Sequence, residues 1–249
     1  AIGNSGIVIN NNNIFDYFGA AVTSSGVATN GGCNAWSITN NRFYQTGTRT
    51  WTTGSQHTGI NIGNATATSG AQGFTITGNT IGYASNTQTG TYTLTGAGTG
   101  AKFIGILFNG IVTGTTTNVN NNTVAAVSMT GVTGFGTTTA SPFTGILFQE
   151  GNGITNNNTV GSQSATGSLT FSTTTTSATD VYGIFNFTSN AWTSNNNNVG
   201  GISVTNLGAS GTFLLMGMRA FTGSTVAWTA NSNTVGGTVA NSIQLNATG

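Results

Sequence analysis

Apolar residues in this chain return two positions apart, the period that puts side chains on one face of a strand, and they do so inside a repeating phrase. It reads Ile7-Val-Ile-Asn-Asn-Asn12-Asn-Ile14, Trp36-Ser-Ile-Thr-Asn-Asn41-Arg-Phe43 and Phe74-Thr-Ile-Thr-Gly-Asn79-Thr-Ile81. It returns as Thr117-Asn-Val-Asn-Asn-Asn122-Thr-Val124, Ile154-Thr-Asn-Asn-Asn158-Thr-Val160, Trp192-Thr-Ser-Asn-Asn-Asn197-Asn-Val199 and Trp228-Thr-Ala-Asn-Ser-Asn233-Thr-Val235. Trp36, Trp192 and Trp228 occupy one slot, five residues before the anchor asparagine. A second phrase alternates with the first: Thr58-Gly-Ile60-Asn-Ile62, Ile104-Gly-Ile106-Leu-Phe108, Thr144-Gly-Ile146-Leu-Phe148 and Tyr182-Gly-Ile184-Phe-Asn-Phe187. Met216-Gly-Met218 and, less closely, Ser242-Ile243-Gln-Leu245 continue it.

The anchor asparagines lie 29, 38, 43, 36, 39 and 36 residues apart. From phrase glycine to next anchor the chain takes 13 to 20 residues, and from anchor to next glycine 18 to 26. Self-similarity at such periods marks a solenoid. The pattern predicts an all-β, right-handed parallel β-helix of about seven coils, one segment over residues 1–249, with two or three short strands per coil. Like side chains should stack on like, Ile14 with Phe43, Ile81, Val124, Val160, Val199 and Val235. Asn12, Asn41, Asn79, Asn122, Asn158, Asn197 and Asn233 should form a corner, because Asn tolerates left-handed backbone and stacked amides can bond along the axis. At about 4.8 Å per coil, the rod core would be roughly 30–35 Å long. Thr/Gly-rich insertions such as Ala84–Gly100 and Ser162–Thr179 fall on one side, where Thr91–Thr95 and Leu169–Thr173 would add strands to the flank. An antiparallel sandwich does not explain why one phrase returns with aromatics in one slot.

Composition sharpens this picture. Only 3% of the residues are charged and the net charge is +1, against about 25% charged in an average domain. Solubility then rests on Asn, Thr, Ser and exposed backbone, residues poor at forming helices. So few Lys and Arg argue against duplex nucleic acid, which needs clustered cations. No apolar run approaches the length of a membrane-spanning helix. Cys33 is the single cysteine, so neither an intrachain disulfide nor a thiolate metal cluster is expected. Ala1–Gly6 is already repeat-like and reads as no signal peptide; together with Asn246–Gly249 it suggests a unit cut from, or continuing into, a longer array.

The phrases Ser177-Ala-Thr-Asp180-Val-Tyr-Gly-Ile-Phe185, Asn233-Thr-Val-Gly-Gly-Thr238-Val-Ala-Asn-Ser-Ile243 and Gln45-Thr-Gly-Thr-Arg-Thr-Trp51 resemble those of very large Asn/Gly/Thr-rich β-helix proteins. Such proteins are secreted by Bacteroidota, often through the type IX pathway. The resemblance covers nearly the whole chain and implies a secreted, extracellular or cell-surface, adhesin-like location. The C-terminal sorting domain usual in that family has no counterpart in these residues.

Candidate chemistry is sparse. Glycoside hydrolysis needs two carboxyls about 5–9.5 Å apart, and the carboxyl side chains are Asp16, Glu150 and Asp180. Asp16 belongs near the first coil, and Glu150 and Asp180 occupy different parts of the coil frame. The carboxylate cluster that polysaccharide lyases of similar fold use for calcium has no match. No catalytic, cofactor-binding or metal-ligating residues are assigned, and no cofactor is expected. His57, in Gly54-Ser-Gln-His-Thr58, reads as a loop histidine, exposed or hydrogen-bonded. The registered tryptophans read as core or corner residues, while Trp51, out of register beside Arg49, is the better candidate for an exposed binding aromatic. Thr75-Ile-Thr77 and Thr91-Tyr-Thr93-Leu-Thr95 raise ice binding, yet Thr-x-Thr does not return at one frame position in every coil. Sequons such as Asn64-Ala-Thr66 and Asn186-Phe-Thr188 arise by chance in so Asn/Thr-rich a chain. The reading is an extracellular scaffold without catalysis, an adhesin-like repeat or filament subunit, with an ice-binding or glycan-binding solenoid as alternative and a polysaccharide lyase behind it. Its partners would be further copies stacked end to end or further repeats in one chain, with a glycan or surface ligand as an additional candidate. Nucleic acid and membrane insertion are not expected.

Overall fold

A two-residue apolar period interrupted every few positions by Asn, Gly and Ser favours short strands and tight corners. The computed structural model describes residues 4–63, 71–96, 98–111, 114–208, 211–220 and 227–247. Among these, regular structure is strand apart from one 3-10 turn at Thr138–Ala140. Sequence-read features at Ala1–Gly3, at Asn64–Thr66 and at Thr248–Gly249 lie outside the described residues.

The strands form four sheets, taken here in the order the chain visits them within a coil. The first holds Val8–Asn10, Ser37–Thr39, Thr75–Thr77, Thr117–Asn120, Gly153–Ile154, Trp192–Thr193 and Trp228–Thr229. The second holds Asn13–Phe15, Arg42–Tyr44, Thr80–Gly82, Thr123–Ala125, Thr159–Gly161, Asn198–Gly200 and Thr234–Val235. Arg49–Trp51, Tyr92–Gly96, Val127–Val132, Leu169–Thr173, Ile202–Asn206 and Ile243–Ala247 make the third. The fourth comprises Ser24–Thr29, Gln56–Gly63, Lys102–Asn109, Phe143–Glu150, Thr179–Asn186 and Phe213–Ala220. Each strand pairs in parallel with its counterpart one coil away, from Val8 against Ser37 at one end to Trp192 against Trp228 at the other. The chain is a parallel β-helix of seven coils.

Two expectations about the coil need correction. A coil has four walls, not two or three strands. The Thr-rich stretches are not flank additions either: Tyr92–Gly96 and Leu169–Thr173 belong to the continuous third sheet, inside the coil frame. Apart from one irregularity where Val127–Val132 meets Leu169–Thr173, these strands pair in register, and it is the loops beside them that vary in length.

The second sheet carries the column Ile14, Phe43, Ile81, Val124, Val160, Val199 and Val235 in unbroken register. Its middle members have no exposure. The glycine of the second phrase faces this column across the core. At Gly105, Gly145, Gly183 and Gly217 an added Cβ would come within 2.4–2.8 Å of the side chains of Val124, Val160, Val199 and Val235. The second and fourth walls approach too closely there for any side chain.

Large and small residues also trade places between the fourth wall and the first strand of the next coil, in every pair but that of Ile62 with Phe74. Successive inward pairs are Thr29 and Trp36, Ile62 and Phe74, Phe108 and Thr117, Phe148 and Gly153, Asn186 and Trp192, Ala220 and Trp228. A Cβ added at Gly153 would lie 2.1 Å from Phe148 Cζ, so the ring fills the slot that a tryptophan fills elsewhere. The fourth sheet is apolar on its outer face too, where Ile104, Leu107, Leu147, Tyr182 and Phe185 form a second buried cluster.

Candidate functional site

The Asn-Asn doublets divide two tasks. The residue before each anchor (Asn11, Asn40, Gly78, Asn121, Asn157, Asn196 or Ser232) turns the corner with φ between 56° and 70°. The anchor that follows builds a ladder. Oδ1 of Asn41 accepts from both the backbone N (2.9 Å) and Nδ2 (3.0 Å) of Asn12. The same pair of bonds links Asn41 to Asn79, Asn79 to Asn122, Asn122 to Asn158, Asn158 to Asn197 and Asn197 to Asn233, all at 2.9–3.1 Å. From Asn41 onward, each Nδ2 spends its other hydrogen on a backbone carbonyl of the preceding coil, as Asn122 does on Ile76 at 2.9 Å. Asn41, Asn79, Asn122, Asn158 and Asn197 are buried, and their amides use both donors and accept twice. The ladder has one polarity throughout, every Oδ1 facing the first coil.

A second ladder was not anticipated. Asn120, Asn156 and Asn195 accept through Oδ1 from the backbone N of Asn156, Asn195 and Asn231, each at 2.8 Å. It lies on the outside of the helix with the opposite polarity. The sequence signal was there, an Asn two places before the anchor in several repeats.

The registered tryptophans share one column. Register runs from Trp36 beside Phe74 through Thr117 and Gly153 to Trp192 and Trp228. Trp192 is buried and its ring stacks on Trp228 at 5.8 Å, 10° from parallel. Trp36 is half-buried against Phe74 and donates through Nε1 to Asn4 O at 3.0 Å. Trp228, in the seventh coil, is exposed. Trp51 corrects an expectation: it is 2% exposed, inside the third wall with Phe18 edge-on. It is therefore no surface aromatic.

His57 is hydrogen-bonded, one of the two alternatives its sequence context offered, but it is not a loop residue. It lies within the fourth-sheet strand Gln56–Gly63, fully buried, in the column Ser24, His57, Phe103, Phe143, Val181 and Leu215. Ser24 Oγ is 2.7 Å from its Nδ1, and its Nε2 is hydrogen-bonded to the Tyr92 hydroxyl. Tyr92 donates on to Tyr17 (3.1 Å) and accepts from Gln45 Nε2 (3.2 Å). Gln45 Oε1 takes a hydrogen bond from Arg49 Nε at 2.9 Å, and Arg49 is paired with Asp16. Burial lowers the His57 pKa to about 3 and raises those of Tyr17 and Tyr92. Although Ser and His touch here, the imidazole is sealed from solvent, and with its pKa lowered by burial to about 3 it is a weak base, far from the match to working pH that general-base catalysis needs.

The carboxylates are all engaged and far apart. Burial favours the neutral form of Asp16, yet hydrogen bonds from Thr46 together with Arg49 outweigh it and lower the pKa. Asp180 accepts from the Tyr182 hydroxyl, from Thr138 N (3.0 Å) and from Arg219 Nη1 (3.4 Å). Burial first, then Asp180, pushes the Tyr182 pKa up to about 12. Arg219 lies over the Tyr182 and Phe185 rings. Glu150 accepts from Thr188 Oγ1 at 3.3 Å. Asp180 and Glu150 stand at opposite ends of neighbouring fourth-sheet strands, about 25 Å apart at 3.3 Å per residue. Among the described residues no three His, Cys, Asp or Glu side chains converge on one point.

Two surfaces remain. A polar groove of about 340 Å³ runs along the corner between the first and second sheets, lined by Asn13, Asn40, Arg42, Thr80 and Asn86 among others. The third sheet presents the other. Its inward residues alternate with half-buried outward ones along each strand. Outward Thr93, Ser128, Thr170 and Ser203 form one column in register. Thr50, Thr95 and Thr130 begin a second column that Ser172 and Thr205 resume after an irregularity beside Thr130. Gln244 and Asn246 end the two columns. Hydroxyl pairs therefore share one frame position in four successive coils, hidden in the sequence by unequal loops, although, as expected, not in every coil.

The parallel β-helix thus offers ladders, one polar corner and one hydroxyl-bearing wall. No family model, no curated protein and no solved structure matches the chain.

Proposed function

We propose that this chain is an extracellular structural scaffold, an adhesin-like repeat or surface-fibre subunit that carries no catalysis and stacks coil upon coil. The observation that carries this reading is the single-polarity asparagine ladder. Its two ends are complementary: among the described residues no donor reaches Asn12 Oδ1, while Asn233 N and one Nδ2 hydrogen meet no acceptor. Apolar exposure follows the same ends. Of the ten exposed large apolar side chains among the described residues, Ile7, Val8, Phe15 and Val22 lie in the first coil and Trp228, Val235 and Leu245 in the seventh. A further coil, from a second copy or from continued chain, would cover both. Head-to-tail contact of this kind does not close on itself and produces filaments. The secreted, cell-surface location rests on the resemblance of its phrases to large Bacteroidota β-helix proteins.

The 249-residue chain is expected to sediment as species that grow with concentration and to form unbranched rods in negative stain. Trp228→Lys with Val235→Lys, which charges one end only, should return it to monomer. A wild-type chain that stays monomeric throughout would overturn end-to-end stacking.

A further inference from the structure

The third wall differs from the others in what faces outward. The first is interrupted by Val8 and Ile154, the second by Arg42, Phe15 and Tyr44, and the fourth by its apolar cluster. Over Tyr92–Gly96, Val127–Val132, Leu169–Thr173 and Ile202–Asn206 the outward side chains of the third sheet are hydroxyls, broken only by exposed Gly131 at the irregularity and without charge or aromatic ring. Tyr92, Phe171 and Trp51 all point inward and are buried. Strand geometry sets the hydroxyls about 4.8 Å apart between coils and about 6.6 Å apart along a strand. Neighbours steady one another: Thr170 Oγ1 donates to Ser128 Oγ at 2.8 Å, and the Thr50 and Thr95 hydroxyls lie 2.9 Å apart.

We propose that this wall binds ice. It is a sheet face rather than a cleft, so it lacks the concavity that buries a small ligand. Being uncharged, it offers nothing to an anionic polymer. A surface periodic in two directions gains most from a partner that is also periodic, because many weak contacts then form together. The choice between a water lattice and a crystalline polysaccharide turns on the missing rings: sugar faces are gripped by aromatic platforms, and this wall has none. Water bridging adjacent hydroxyls costs little to immobilise and would be held in rows at the spacing of the backbone. A growing ice face would meet a first layer already in place.

The test uses the whole chain, fluorescently labelled at Cys33, in a growing ice hemisphere, with thermal hysteresis measured in parallel. Incorporation into ice and measurable hysteresis are expected for the wild type. Thr170→Lys should lower the activity about tenfold or more, as expected when contacts must form together, whereas Thr123→Lys on the second wall should leave it unchanged. Thr205→Tyr adds bulk without charge to the other column and should give the same loss, with melting temperature confirming that each variant is folded. Exclusion of the wild type from ice overturns the proposal, as does full activity in both third-wall variants. Exclusion from ice with retention on crystalline chitin or cellulose would overturn it in favour of a polysaccharide face.

Discussion

Asn122 shows what one residue of the ladder does. Buried in the corner, it accepts from Asn79 N and Nδ2 and donates to Asn158 Oδ1 and to Ile76 O. Truncation would strand several buried polar groups at once, each unmade bond costing about 1–3 kcal/mol. Asn122→Ala should therefore lower stability by about 2–4 kcal/mol in chemical denaturation, while Asn12→Ala at the exposed end should cost about 1 kcal/mol or less. Equal losses at both positions would mean that burial of the ladder is not what gives it strength. His57 allows a second test. The unfolded chain takes up its proton near pH 6.5, whereas the folded chain holds the ring neutral down to about pH 3. Between those values the unfolded state binds more protons, so stability falls as pH falls, by up to about 1.4 kcal/mol per unit. Tyr17 and Tyr92 stay neutral over this range, because burial raises their pKa values. His57→Phe, matching Phe103 and Phe143 in its column, should flatten the slope between pH 6.5 and 4. An unchanged slope would assign the acid sensitivity to other groups.

At the scale of the element, complementary volume decides which residue stands where. Gly153→Ala should destabilise by about 1–3 kcal/mol through overpacking against Phe148, and Phe148→Leu in the same chain should restore part of that loss. A double-mutant cycle with no coupling between the two would rule out the exchange of volume between fourth and first walls. The sequence made the first and second walls legible, because anchor asparagine and following apolar residue keep a constant offset that no loop interrupts. The third wall was not legible as a wall, since loops of unequal length separate Tyr92, Val127, Leu169 and Ile202 from the nearest anchor. Trp51 and His57 were misplaced for the same reason. Counting from the phrase glycine rather than the asparagine finds His57: it stands two before Gly59, as Phe103, Phe143 and Val181 stand before theirs. The close approach that demands those glycines is a tertiary fact, invisible until two walls face each other. The hydroxyl columns needed the third wall first, and so were out of reach.

For the whole molecule, the central claim is that each turn of the chain lies directly over the last. Asn13, Arg42, Thr80, Thr123, Thr159, Asn198 and Thr234 form one outward column down the second sheet. Spin labels on cysteines introduced in a Cys33→Ser background can measure it, with Asn13→Cys fixed and the second label moved through Thr123, Thr159, Asn198 and Thr234. The distance should grow by about 4.8 Å per coil, from roughly 14 Å to roughly 29 Å, allowing for label length. A series that rises and falls, as antiparallel strands folding back on one another would give, would contradict the stacked helix and the ladder, end faces and hydroxyl wall that depend on it.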